Sequence, residues 1–440
     1  MVRPKPERKR GEWTEFRGMT GRPGFGRLRS VSGIDGLGRS TPRNLDPTTE
    51  ASPPIPAPPP NPDHFEPAIA EIFGGRRPGG PSDVELLQAM TQGQLPAEEG
   101  LLRVAYSGGW PLATPEGYYY ASAGPGPVAL AGDHNRWRPE VMEQKGNLWV
   151  AFVPKAAAGR YKLVGPDGQF RPDPWARNYA YDDHGEISVT KPQGAHLERW
   201  PLFSGEGLPP RSLRIWVPAK KPTHHLYTHD GQNLFDPGAP HGGWRLQHAV
   251  GPSTLVIGID HGPDRRAEMT HTVEWRDGKE VGGDGDRYAK LVREHVQPHI
   301  EARYGAPRRV GVMGSSLGGL VSYHLADRYE NSYDAVISLS GTFGWGALDP
   351  KSNGDTMQSR YQRRVAEGRP LRRPIFYLDS GGVPGGHDNY DSNRKMADAL
   401  ADMGYRWNKD LWHWHEPGAP HTEASWAKRV FRPIKLFEAL

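Results

Sequence analysis

The 440-residue chain contains no cysteine. That excludes a disulfide-stapled scaffold, a thiol nucleophile, and any zinc or iron–sulfur site built on thiolates. Apolar residues are also scarce, at 36% of the chain with a mean hydropathy of −0.71, which is low for a fully packed globule of this length. No apolar run approaches the ~20 residues that cross a bilayer as a helix, so membrane insertion is not expected. The basic N-terminus lacks the apolar stretch of an ordinary secretory leader. A cytoplasmic location is therefore expected, with export left open if the true start lies upstream. The sequence pI near 9.0 suggests a nucleic-acid partner only until the charge is mapped. Residues 1–44 hold eleven Lys or Arg against four Asp or Glu, and the rest of the chain is slightly acidic. A solvated basic tail accounts for this, and no nucleic acid is expected as a partner.

Gly (55) and Pro (44) are abundant, and they mark where packing should fail. Seven prolines in the twelve residues 51–62 predict a polyproline spacer, so residues 1–80 read as a disordered basic and Pro-rich tail. Asp83–Met90 reads as a short amphipathic helix capped by Ser82. Residues 81–195 then hold short apolar runs, at 128–131, 148–153, 161–164 and 187–189, separated by turn residues, as in a small β-sandwich. From residue 196 the pattern changes. Strand-like runs at 213–217, 225–228, 254–259, 310–313, 335–339, 375–378 and 411–415 alternate with helical patterns at 286–303, 317–329 and 393–403. Such alternation predicts an α/β fold, with a mostly parallel sheet covered by helices on both faces.

The strongest chemical signal is Gly314-Ser315-Ser316-Leu317-Gly318, set between the strand around Val310 and Val312 and a helix opening near Leu317. In a G-x-S-x-G turn the central serine occupies a strained elbow that exposes Oγ, and the helix N-terminus turns backbone N–H groups toward a developing oxyanion. Ser316 is thus the expected nucleophile and Leu317 N–H an oxyanion donor. The base should follow in the order Ser, Asp or Glu, His. His421, in the loop after the last strand, is expected in preference to His413 and His415, whose alternation in LWHWH predicts a sheet face. For the acid, Asp388 is the first choice and Asp379 the second, with Asp391 also available. Gly231 and Gln232, after the strand at 225–228, are candidates for the other oxyanion donor. Candidate substrate-pocket residues are Trp345 and Phe343 beyond the strand at 335–339, Trp175 and Tyr179 in an aromatic segment ending the β-region, and Arg265 and Arg266 as cations for an anionic substrate. His295 and His299 are four apart, but no Glu follows the first, and Pro298 intervenes. No metal and no cofactor are expected.

The blocks LYTHDGQNLFD (226–236), VIGIDHGPDRRAEMT (256–270), GSSLGG (314–319), SLSGTFGW (338–345) and PGAPHTEASWAKR (417–429) together resemble the esterase family that includes the enterochelin (enterobactin) esterases and the esterase D-like hydrolases. The resemblance implies an α/β-hydrolase that cleaves carboxylic esters through Ser316 and His421. Some members of the family work without the acid, which leaves Asp388 open. VALAGDHNRW (128–137), LWVAFVP (148–154) and GRYKLVG (159–165) resemble early-set immunoglobulin-like modules, in whose glycan-binding branch Trp137 and Trp149 would stack on sugar. Three functions remain open. The first is an enterochelin-esterase-like serine esterase for a small-molecule siderophore or aryl ester. The second is a carbohydrate esterase of feruloyl or acetylxylan type with a glycan-binding β-domain. The third is a noncatalytic binding protein that keeps the fold.

Overall fold

The computed structural model describes residues 80–440, apart from 277, 371–373 and 387 and the side chain of His241. The expected disordered tail lies, up to residue 79, outside the described residues.

Eight strands between residues 196 and 415 build the sheet that carries the site: β1 His196–Gly205, β2 Leu208–Val217, β3 His224–His229, β4 Thr254–Ile259, β5 Arg309–Ser315, β6 Ala335–Leu339, β7 Ile375–Ser380 and β8 Leu411–His415. Their spatial order is β8-β7-β6-β5-β3-β4-β2-β1. From β4 to β8 every pairing is parallel, whereas β2 runs antiparallel to both β4 and β1. β4, β6 and β7 are buried at every position, as befits strands covered on both faces. Side-chain alternation divides them between two cores. Leu255, Ile257, Val312, Val336, Phe376 and Leu378 join one core, while Val256, Met313, Ile337 and Tyr377 join the other. The result is an α/β-hydrolase-like fold with a mixed sheet.

The helical pattern expected at 286–303 is helical throughout, but it is not one α-helix. Gly285–Lys290 and Gln297–Tyr304 are α-helical, and Leu291–Val296 between them is a π-helix. Pro298 has no N–H for a carbonyl one turn back, and a widened turn just before it relieves the clash of its ring. The two histidines on this stretch take separate partners. His295 Nε2 lies 2.7 Å from Glu206 Oε1, and His299 packs edge-on against Trp200 at 4.4 Å.

The β-region forms two sheets. One has four strands; the other continues the main sheet. Tyr118, Tyr120 and Val153 of the first pack with Leu130, Tyr161 and Leu163 of the second in a small shared core. The expected boundary at 195 falls between hydrogen-bonded strands, because Asn178–Asp182 pairs with β1 through Leu197 and Glu198. Ser82 caps Asp83–Thr91 in a capping box with Glu85. A second helix, Ala97–Tyr106, packs with it over Trp110, Leu148 and Val150. No helix among the described residues is long and apolar enough to cross a membrane.

Candidate active site

Parallel strands leave their carboxyl ends on one edge of the sheet, and the loops from those ends carry the chemistry. β5 ends at Ser315, and the helix Leu317–Arg328 begins two residues later. Ser316 between them has φ +55° and ψ −120°, a conformation that costs a non-glycine residue about 1–3 kcal/mol. The turn is so tight that a Cβ on Gly314 would lie 2.5 Å from the carbonyl carbon of Gly318. Ser316 is half-buried. Its N–H donates to Leu339 O (2.9 Å), and its Oγ lies 3.3 Å from Thr342 Oγ1.

The loop after β8 carries His421, and the loop after β7 carries Asp388. The structure brings these two together, with Nδ1 and Oδ1 2.6 Å apart. The Asp388 side chain has no exposed surface, whereas that of His421 is 36% exposed, so the imidazole faces outward while its partner is enclosed. The edge of Trp426 bounds the ring at 4.9 Å. Asp388 Oδ2 accepts from Ser340 Oγ (2.8 Å) and from Gly381 N–H, with the Arg429 guanidinium 3.5 Å away. No hydrogen bond joins Ser316 to His421 in this structure; the serine hydroxyl rests on Thr342 instead.

The other candidate acid is placed differently. Asp379, at the end of β7, is fully buried and lies 3.0 Å from Arg429, with no bond to His421. Burial pushes its carboxyl up to about 6 despite the nearby guanidinium. Asp391 accepts from Gly385 N–H in its own loop. His413 and His415 stay on β8, close to Ser380 Oγ and Gly382 O respectively. Arg429 and Trp426, which close this network, were not singled out in the sequence. The readable signal was their spacing of three on the helix Glu423–Arg429, opened by Thr422 immediately after His421.

The loop after β3 approaches the helix that starts at Leu317. Asp230, at φ +59°, begins the short turn Gly231–Asn233. Gln232 Oε1 faces His261 N–H at 3.4 Å. Arg265 grips both Asp230 oxygens, at 2.7 and 2.8 Å. Burial pushes the Asp230 carboxyl up, but the guanidinium more than offsets it and the net shift is downward. Arg265, expected as a cation for an anionic substrate, is thus engaged with the loop after β3. Its neighbour Arg266 is exposed on the surface.

The aromatic pocket wall also needs correction. Phe343 and Trp345 are each 4% exposed and belong to the main core. The Trp345 indole N–H donates to Thr272 O (2.8 Å), and Phe343 packs edge-on against Tyr323. Tyr179 is buried where the β-region meets β1, with the Arg199 guanidinium over its ring. Trp175 is half-buried against the cluster around Trp110. Among the described residues, no group of three or more His, Asp or Glu is arranged to hold a metal ion.

A family model described as "Putative esterase" matches residues 207–429, half of the chain. Among solved structures, an IroE-like serine hydrolase from Shewanella oneidensis is 18% identical, covering 56% of this chain and 80% of its own, with a TM-score of 0.44. The enterobactin esterase FES from Shigella flexneri is 14% identical, covering 74% of this chain and 95% of its own, with a TM-score of 0.41. The siderophore hydrolase EstA from Aspergillus nidulans is 17% identical, covering 55% of this chain and 94% of its own, with a TM-score of 0.43. No curated protein matches the sequence.

The raised carboxyl of Asp379 makes stability depend on pH. It titrates near 6 when folded against an ordinary 3.8. The folded state thus holds a proton that the unfolded chain releases, and stability falls as pH rises between about 4 and 6. Asp379→Asn removes this dependence. The melting temperature of the wild type relative to the variant should drop by roughly 3–6 °C between pH 4 and pH 7. Parallel melting curves over that range would refute the assignment.

Proposed function

That this chain belongs to the Putative esterase family, and so is an ester hydrolase, is the premise from which we propose that it is a serine esterase working through an acyl-enzyme. The observation that carries the proposal is the 2.6 Å contact between Asp388 and His421 on loops that leave the same sheet edge as the strained Ser316 elbow. In this reading Ser316 Oγ turns from Thr342 toward His421, loses its proton to Nε2, and attacks the ester carbonyl carbon. Asp388 holds Nδ1–H, which fixes the tautomer and stabilises the imidazolium. Leu317 N–H and an N–H from Gly231 or Gln232 receive the oxyanion. His421 returns the proton to the departing alcohol, and water repeats the sequence to release the acid. The proposed substrate class is small aryl or acyl esters of enterochelin type. The same proposal takes 81–195 as an early-set immunoglobulin-like accessory domain and 196–440 as the catalytic domain; the small core shared by two sheets supports the first part.

Ser316→Ala should lower kcat by up to ~10⁶ with the fold intact. Asp388→Asn should lower it roughly 10³–10⁴-fold, and by more than Asp379→Asn does. The assay is a panel of p-nitrophenyl acetate, ferric enterobactin and methyl ferulate. More than a few per cent residual activity in Ser316→Ala would overturn the reading, and the reverse order of the two Asp variants would hand the acid role to Asp379.

One observation favours the carbohydrate-esterase reading. A cavity of about 580 Å³ in the β-region is lined by Trp137, Phe170, Arg160, Lys162, Gln169 and Asp182, and Phe170 is 44% exposed. Aromatic faces beside polar groups suit a sugar ring. Trp149, in contrast, packs against the sandwich core. On this reading Trp137→Ala weakens retention in xylan-containing affinity gels about 10-fold. Equal mobility with and without xylan for the wild type removes it.

A further inference from the structure

β6 ends at Leu339, and the next residue, Ser340, turns left-handed at φ +52°. Glycine would sit there without strain, so the retained side chain calls for a reason. The buried Ser340 hydroxyl supplies one. It donates to Asp388 Oδ2 (2.8 Å) and accepts from Trp426 Nε1–H (2.9 Å) and from Arg429 Nη2 (2.7 Å). One donated and two accepted bonds use the full capacity of a hydroxyl. The backbone of the residue is engaged as well. Its N–H donates to Asp379 O (2.9 Å), and its carbonyl accepts from Asn389 Nδ2 (2.8 Å). Asp388 and Asn389 are themselves left-handed, at φ +75° and +59°. Two residues beyond Ser340, Thr342 N–H donates to the Ser316 carbonyl (3.1 Å), and its hydroxyl meets Ser316 Oγ. Gly341 between them has no room for a side chain: a Cβ would lie 2.7 Å from the Phe343 ring and closer still to Ser338 Oγ.

We propose that Ser340-Gly341-Thr342 is a strut that fixes the Asp388–His421 pair relative to Ser316, with Ser340 as its positioning residue. Ser340 reaches both sides of the imidazole, through the carboxylate at Nδ1 and through Trp426, whose ring edge bounds it. Thr342 at the other end holds the serine. The strut rests on the reading of Ser316, Asp388 and His421 given above. It adds that the loop after β6 acts on the reaction without touching substrate.

Loss of the Ser340 hydroxyl takes a donor from Asp388 Oδ2. The carboxylate then accepts more strongly from His421 Nδ1–H, which favours the protonated imidazole. The groups facing Asp388 are His421, Arg429 and, through that guanidinium, Asp379. The experiment is steady-state hydrolysis of p-nitrophenyl acetate across pH 5–9 by Ser340→Ala, Ser340→Gly, Thr342→Val and Asp388→Asn, with melting curves for each. Ser340→Gly suits the left-handed backbone and carries the test if the Ala variant does not fold. The expected result for Ser340 is a kcat lower by roughly 10- to 100-fold, a KM within about two-fold, and an acid limb of kcat/KM moved to higher pH by about half a unit. Thr342→Val should slow kcat several-fold with no displacement of the limb. If Asp388→Asn retains wild-type activity, the reading of the site itself fails. If Asp388→Asn is inactive while a folded Ser340 variant keeps the wild-type kcat and acid limb, the strut alone is overturned.

Discussion

Two buried carboxylates share one buried guanidinium. Asp379 and Asp388 have no exposed side-chain surface, and Arg429, at 2%, lies 3.0 and 3.5 Å from them. Isolated charges in such a place are strongly disfavoured, and removing one partner from a buried set is far more damaging than removing an exposed pair. The cluster ties together the ends of β6 and β7, the loop carrying Asp388, and the helix that follows His421. The loop carrying Asp388 and the helix after His421 have left the sheet, and no ladder hydrogen bonds locate them. The shared guanidinium and the Ser340 hydroxyl locate them instead. The geometry at His421 is therefore set from behind, on the dry side of the loop.

Strain is concentrated at the same place. Ser316, Ser340, Asp388 and Asn389 all hold positive φ without being glycine. In Ser316 the strain lifts the hydroxyl off the strand, and in the other three it turns side chains into a common network. The elbow and the acid–histidine pair are thus separate rigid units joined through residues 340–342. The resting serine hydroxyl lies 3.3 Å from that of Thr342, so the proposed reaction begins with a side-chain rotation at Ser316.

Much of this was legible in the sequence, and the exceptions have physical causes. The parallel strands read correctly because each is a continuous apolar run bounded by turn residues, and the elbow read correctly because its glycine spacing follows from steric contact. β1 was missed because Pro201 lies within it. The strand absorbs the proline with an irregular register between Trp200 and Phe203, and with Leu202 at φ +54°. The helix Ala97–Tyr106 was hidden by Gly100, which lets it approach Met90 of its neighbour. The pairing of Arg265 could not be read because its partner, Asp230, is 35 residues away. Trp345 misled for a related reason: a large aromatic just past a strand end reads as a wall, but which way it points depends on the turn before it. Ser340 carried no signal because a serine after a strand is ordinary until its φ is known.

The join between the β-region and β1 also protects the folded chain. An outer strand of a sheet presents a row of unpaired amides and carbonyls that another chain can zip onto. Asn178–Asp182 meets β1 at Leu197 and Glu198 and covers that part of the rim. The β-region behind it prolongs the sheet to fourteen strands, which moves the free margin far from the hydrolytic machinery. A chain cut at residue 195 would lose the strand that pairs with β1 at Leu197 and Glu198. Pairing at such a rim is one of the devices by which sheets avoid edge-to-edge association.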